Sequence, residues 1–116
     1  MLILIVRMKV ENTGIDVVKC IRQFRQDDAR GSFVKTFHQS SLLEQGLDFT
    51  LRESFYSVSQ RDVIRGMHFH HPPFAHDKIV FCTAGRILDI ALDLRRSSPT
   101  YGQVASANPG QYQECG

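Results

Sequence analysis

This sequence predicts an all-β fold, a sandwich or small barrel, on three observations. Eight glycines are spread along the chain and cut it into short segments, a spacing that favours strands over long helices. Several of those segments are rich in Val, Ile, Phe, Tyr and Thr, the side chains that fit a pleated surface. The third is composition: 116 residues, 42% hydrophobic and 22% charged, is the make-up of one modest folded domain, residues 1–116, and excludes disorder, collagen and coiled coil.

Taken in order, residues 1–14 open with the apolar run Met1–Val6, interrupted by Arg7 and Lys9, far short of the ~20 residues a membrane span needs. No basic residues precede the run and no small-residue cleavage box follows, so it reads as a strand seeking a sheet edge rather than a secretory signal or membrane anchor. Residues Ile15–Phe24 suit a helix stripe or a strand face equally. Ser32–His38, Thr50–Val58, Val63–His71, Lys78–Thr83 and Ile87–Leu94 are predicted strands, most of them bounded by Gly, Pro or Asp. One segment, Ser40–Gln45, is locally helical, with Ser41 as N-cap and Glu44 completing a capping box. Residues 103–116 form a polar, divergent tail.

Strand alternation assigns faces. In Ile87–Leu94, the residues Leu88, Ile90, Leu92 and Leu94 share the face expected to pack, and Asp89 and Asp93 lie on the wet one. In Val63–His71, Ile64, Gly66, His68 and His70 lie on one side, so His68 and His70 point together. Lys+Arg minus Asp+Glu is 14 − 12 = +2, too small and too scattered for a nucleic-acid footprint. Three widely spaced cysteines, Cys20, Cys82 and Cys115, exclude a disulfide framework or Cys-based zinc site as first readings and fit a reducing cytoplasm, with Cys82 an inert core thiol. Arg95 and Arg96 read as a solvated turn.

The densest chemistry lies in Arg65–Lys78, which holds four of the five histidines within nine residues, plus Arg65 and Lys78. Two uses compete. As metal ligands, His68 and His70 offer two neutral nitrogens from one strand and His76, after the Pro72–Pro73 turn, a third. As proton-transfer groups, an imidazole near its ordinary pKa of ~6.5 abstracts a proton while a lysine ammonium steadies the oxyanion that forms. The two uses of His68 exclude each other, because a metal-bound imidazole has no lone pair left. A solvated strand end and turn is the third account of the same residues.

The motifs Val63-Ile-Arg-Gly-Met-His-Phe-His70, Pro72-Pro73, Lys78-Ile-Val80, Gly85-Arg-Ile-Leu-Asp89 and Asp93-Leu-Arg-Arg-Ser-Ser-Pro-Thr-Tyr-Gly102, with Asp28-Ala-Arg-Gly-Ser-Phe-Val-Lys-Thr-Phe37 upstream, resemble those of the dTDP-4-dehydrorhamnose 3,5-epimerase family. Their order and spacing hold from about Asp28 to Gly102. The resemblance implies a cupin, an antiparallel jelly-roll barrel that takes a nucleotide sugar inside, needs no cofactor or metal, and forms a homodimer by exchanging N-terminal strands. It implies His68 as the general base at C3 and C5 of a 4-keto-6-deoxy sugar and Lys78 as the group stabilising the enolate oxygen. Arg30 and Arg65 hold the nucleotide and its phosphates, a task suited to a planar bidentate cation. Asp89 is a candidate partner for His68 across the barrel.

The chain also departs from the family pattern. Lys35 replaces a glutamate, while Glu53 and Phe55 replace a substrate-contacting glutamine and asparagine, which changes the charge of the substrate-binding positions Lys35 and Glu53. His70 stands where a glutamine is usual, and Phe74 and Ala75 stand where a metal cupin places its glutamate. After Gly102 the family continues to a Pro-x-Gly-x-x-His-Gly motif, a general-acid tyrosine and an orienting aspartate. None of these follows here, and neither Tyr101, in a turn, nor Tyr112, in the tail, suits the acid's place. A barrel short of its closing strands exposes sheet edges that a second chain covers, so dimerisation is expected on stability grounds too. The expectations are thus a cytoplasmic sugar-nucleotide 3,5-epimerase, truncated or inactive; a non-catalytic cupin that binds a nucleotide sugar or small anion; or a small metal cupin using His68, His70 and His76.

Overall fold

The computed structural model describes residues 8–108 and the backbone of residues 114–115. The expected N-terminal strand and its exchange between protomers fall on residues 1–7, outside the described residues, as does Tyr112. Strands dominate: β1 Lys9–Asn12, β2 Lys19–Arg22, β3 Phe24–Asp28, β4 Gly31–Lys35, β5 Asp89–Leu92, β6 Val104–Asn108 and β7 Glu114–Cys115, with the single helix α1 Gln39–Glu44. They form two two-stranded sheets, β1–β2 and β3–β4, and one three-stranded sheet, β5–β6–β7, all antiparallel. No barrel closes among the described residues.

The β1–β2 hairpin resolves the ambiguity at Ile15–Phe24 in favour of strand. Its loop is held by Thr13, whose hydroxyl accepts from the Ile15 amide at 3.2 Å and lies 2.8 Å from the Val18 carbonyl to which it donates, so side chain substitutes for ladder. Ile15 is buried beneath that loop together with Met8, Cys20 and Leu42, which make up the apolar core. The β3–β4 hairpin pairs Asp28 with Gly31 across the two-residue tip Ala29–Arg30. Gly31 has φ +128°, a conformation open to glycine and strained for other residues.

Helix α1 begins earlier than the capping box predicts. His38 is the N-cap and makes no side-chain cap bond; Ser41 lies inside the helix, with its hydroxyl buried and without a hydrogen-bond partner. The C-terminus is better made. Gly46, at φ +82°, lets the Leu47 amide reach the Leu42 carbonyl at 2.9 Å and the Gly46 amide reach Leu43 at 3.0 Å, the double bond of a Schellman stop. The side chain of Gln45 then binds the edge of β1, its Oε1 accepting from the Val10 amide at 2.8 Å and its Nε2 donating to the Met8 and Ser41 carbonyls. The helix is thereby fixed to the first hairpin.

Three expected strands, Thr50–Val58, Val63–His71 and Lys78–Thr83, carry no ladder, and from residue 50 to 88 nearly every side chain is exposed. A strand exists only when a neighbour takes its amides and carbonyls, and among the described residues none does. Ile87–Leu94 is a strand only over β5, and its burial is inverted: Leu88, Ile90 and Leu94 stay exposed while Asp93, from the face expected to be wet, is buried. The segment from Val104 supplies β6, pairing Leu92 with Val104 and Asp89 with Ala107. No described helix is long and apolar enough to cross a membrane.

The cysteines depart from the reduced-thiol expectation. Cys20 is disulfide-bonded, whereas Cys82 is a free thiol that is half-buried and donates to the Ala84 carbonyl. Spacing along a chain is silent about a bond between cysteines that meet only after strands pair.

Candidate functional site

The Arg65–Lys78 segment positions its groups by turns and local hydrogen bonds rather than by a sheet. Arg65 donates from Nε to the Ser59 hydroxyl at 2.8 Å and from Nη2 to the Val58 carbonyl at 3.3 Å, which closes a loop around residues 59–65. Gly66 has φ +127°, and a methyl group added there would meet the His68 amide and Nδ1 at 3.7 Å. The backbone turns at a glycine so that the His68 ring folds back toward it. Because the segment is not a ladder strand, the same-face relation expected of His68 and His70 does not hold it together.

His70 packs instead on His76, with ring centroids 4.6 Å apart and planes at 45°. Among the described residues no three His, Cys, Asp or Glu side chains come together as a metal-holding group, so His68, His70 and His76 are not assembled as a ligand set. The His76 tautomer follows from its contact: Nδ1 lies 2.9 Å from the Phe74 carbonyl, which only accepts, so Nδ1 carries the proton and Nε2 the lone pair. Desolvation first, then the charges of His76, Lys78 and His68, hold the His70 pKa below the ordinary histidine value, which keeps that ring neutral at pH 7. His68 and Lys78 are both exposed.

The other sequence-selected residues lie elsewhere. Arg30 sits at the β3–β4 tip with its side chain 91% exposed and 2.6 Å from Asp28. Asp28 also accepts from the Arg30 amide at 2.8 Å; the guanidinium first, then this amide, holds the Asp28 carboxyl below its usual value, and the carboxylate holds the Arg30 guanidinium above its own. Lys35 ends β4 opposite Phe24, Glu53 is exposed in the unpaired stretch, and Asp89 is exposed at the start of β5. Of the residues selected from the sequence, the structure brings His70 and His76 into contact, while Arg30 is engaged with Asp28 at the β3–β4 tip.

A separate polar centre was not anticipated. Asp93, its carboxylate 1% exposed, accepts from the Arg95 amide at 3.0 Å, from Arg95 Nε at 2.9 Å and Nη2 at 2.8 Å, from the Ser98 hydroxyl at 2.7 Å and from the Thr100 hydroxyl at 2.6 Å. Arg95 also donates to Asp16 in the β1–β2 loop at 2.7 Å. The Arg95 contact above all, then Thr100 and Ser98, pulls the Asp93 carboxyl far below the carboxylate range, and Arg95 is raised in turn. Arg95 is therefore no solvated turn residue but the link between two loops. The signal was present as Asp93-x-Arg95-x-x-Ser98-x-Thr100, a carboxylate followed by donors within one turn.

Comparison with known proteins gives these residues a context. Residues 12–111 match the family model described as dTDP-4-dehydrorhamnose 3,5-epimerase, further at both ends than the motifs reach. A dTDP-4-dehydrorhamnose 3,5-epimerase of Sinorhizobium fredii is 38% identical over 105 residues, covering 90% of this chain and 54% of that protein. One of Salmonella typhimurium is 37% identical over 102 residues, with 87% and 56% covered. A dTDP-4-dehydrorhamnose 3-epimerase of Streptomyces niveus is 38% identical over 96 residues, with 82% and 46% covered. The chain spans about half the length of the curated relatives it matches.

Proposed function

Because the chain belongs to the dTDP-4-dehydrorhamnose 3,5-epimerase family, we propose that it acts on a dTDP-4-keto-6-deoxyhexose, with His68 removing the proton beside the ketone and Lys78 holding the oxygen at C4. The match of residues 12–111, which contains the whole histidine-rich segment, carries this reading. The chemistry is self-consistent. A ketone acidifies both neighbouring C–H bonds, so a neutral imidazole takes the proton, the electron pair moves to the C4 oxygen as an enolate, and an ammonium beside that oxygen lowers the barrier. A proton delivered from solvent water to the opposite face, with the resulting hydroxide neutralised by the proton that His68 took, inverts the centre. Support comes from the family match, which includes both His68 and Lys78.

Arg65 and Arg30 are proposed to bind the diphosphate, with Lys35 and Glu53 touching the substrate and Asp89 orienting His68. For Arg30 this requires the diphosphate to displace Asp28, exchanging one anion for another on the same fork. The proposed architecture is a jelly roll whose missing walls are supplied by a second copy, which suits the exposed apolar side chains of residues 50–88. A cytoplasmic setting is part of the proposal, and the disulfide at Cys20 stands against it. Alkylation of cells lysed directly into denaturant decides: modification of Cys20 supports the cytoplasm and its absence overturns it.

The test of the chemistry is deuterium wash-in at C3 and C5 of the 4-keto sugar nucleotide in D2O. Exchange at both carbons that falls by ~10²–10⁴-fold in His68→Ala supports the epimerase. Exchange at C3 alone would place the chain with 3-epimerases such as the Streptomyces niveus relative. No exchange above the His68→Ala level, with the nucleotide sugar still bound, leaves a non-catalytic binding protein, the reading favoured by the solvent exposure of His68 and Lys78.

A further inference from the structure

We propose that His70 and His76 form a two-imidazole site for a divalent late transition ion, Cu²⁺ above Ni²⁺ and Zn²⁺. An ion held ~2.0–2.1 Å from each nitrogen puts two ring centroids roughly 4.5 Å apart in a cis square-planar or octahedral arrangement, and roughly 5 Å apart in a tetrahedral one. The His70 and His76 centroids are 4.6 Å apart with planes at 45°, a separation one ion can bridge, and for two imidazoles the affinity order favours Cu²⁺.

The second observation is the bond from His76 Nδ1 to the Phe74 carbonyl at 2.9 Å. A ligating histidine ordinarily donates its other ring N–H to a carbonyl or carboxylate, which fixes the tautomer and raises the basicity of the free nitrogen. His76 has this arrangement without a metal, so its Nε2 is preset as a donor. Exposure of both residues leaves the remaining coordination positions to water. No part of this depends on the epimerase reading. His68 folds toward Gly66 and is not a ligand, while Lys78 opposes a second cation nearby.

The first measurement needs no variant: Ni²⁺ added to the protein labelled with ¹⁵N at histidine should broaden the His70 and His76 ring signals before those of His38, His68 and His71. Calorimetric titration with Ni²⁺ and Cu²⁺ should then show affinity weakened about tenfold or more in both His70→Gln and His76→Gln. Lys78→Gln should tighten binding severalfold. The proposal is overturned if His38 or His71 broadens first, or if His68→Gln weakens binding as much as His76→Gln. It also fails if Zn²⁺ binds more tightly than Cu²⁺, because two ligands alone follow the Irving–Williams order.

Discussion

Two polar clusters of this chain are built on opposite plans. Around Asp93, five donated hydrogen bonds converge on one buried carboxylate, and Arg95 carries the link to Asp16, seventy-nine residues away. Around His70, the groups stand in water, ordered by a ring contact and one carbonyl, with no ladder on either side. A buried carboxylate must have its partners supplied locally, so its donors are close in sequence and the cluster forms with whatever chain is present. The histidine segment has no such local set of donors, and its rings stay exposed. Stability and chemistry are therefore expected to separate by mutation.

The largest expected effect tests that separation on the chemical side. His68→Ala should lower deuterium exchange by ~10²–10⁴-fold while leaving the thermal midpoint within ~2 °C, since an exposed ring packs on little. On the other side, Asp93→Ala leaves Arg95, Ser98 and Thr100 without their acceptor, and should lower the midpoint by on the order of 10 °C. Calorimetry on both variants breaks the comparison if His68→Ala unfolds the protein or Asp93→Ala does not.

The contrast also explains what the sequence made legible. The strand-rich class was readable because β-branched and aromatic residues do favour strands, and β4 overlaps the start of the expected strand Ser32–His38, whereas its partner β3, rich in Arg, Gln and Asp, carried no such signal. Strands at Thr50–Val58 and Val63–His71 were expected from the same propensity, yet propensity does not supply a neighbour to accept a ladder. Ser41 satisfied a capping pattern, but the chain enters the helix one turn earlier at His38 because the Schellman stop at Gly46 and the Gln45 bonds to β1 fix the other end. Asp93 looked like a wet-face carboxylate, since alternation gives a face and not what covers it. The histidine segment was found from composition, and the His70–His76 contact was hidden because it arises from the turn at Pro72–Pro73, not from strand spacing.

A pH titration sharpens the same comparison with a smaller effect. The native Asp93 carboxyl sits far below its unfolded value, so its stabilisation is complete above about pH 5 and is lost as pH falls, when the unfolded chain binds protons the native one refuses. Asp93→Asn removes that difference, and the acid limb of stability against pH should become shallower. Part of the slope will persist, because hydrogen bonds also hold Glu11, Asp16, Asp27 and Asp28 below their usual values. An unchanged limb in Asp93→Asn, followed by urea unfolding from pH 7 to pH 3, would deny the carboxylate its place.

The smallest effect concerns the seam between helix and hairpin. Gln45 is the one α1-adjacent side chain that fills a ladder position, accepting from Val10 and donating to Met8. Gln45→Glu keeps the acceptor but loses the donor and sets a carboxylate against the Met8 and Ser41 carbonyls. Gln45→Ala loses both and exposes the Val10 amide to water. Since an exposed amide finds water while opposed oxygens cannot, Glu should be the worse substitution, lowering the midpoint by roughly 5 °C against ~2–3 °C for Ala. Hydrogen exchange at Val10 supplies the matching readout: protection lost in Gln45→Ala and retained in Gln45→Glu, whereas equal loss in both would mean that Gln45 does not extend the strand.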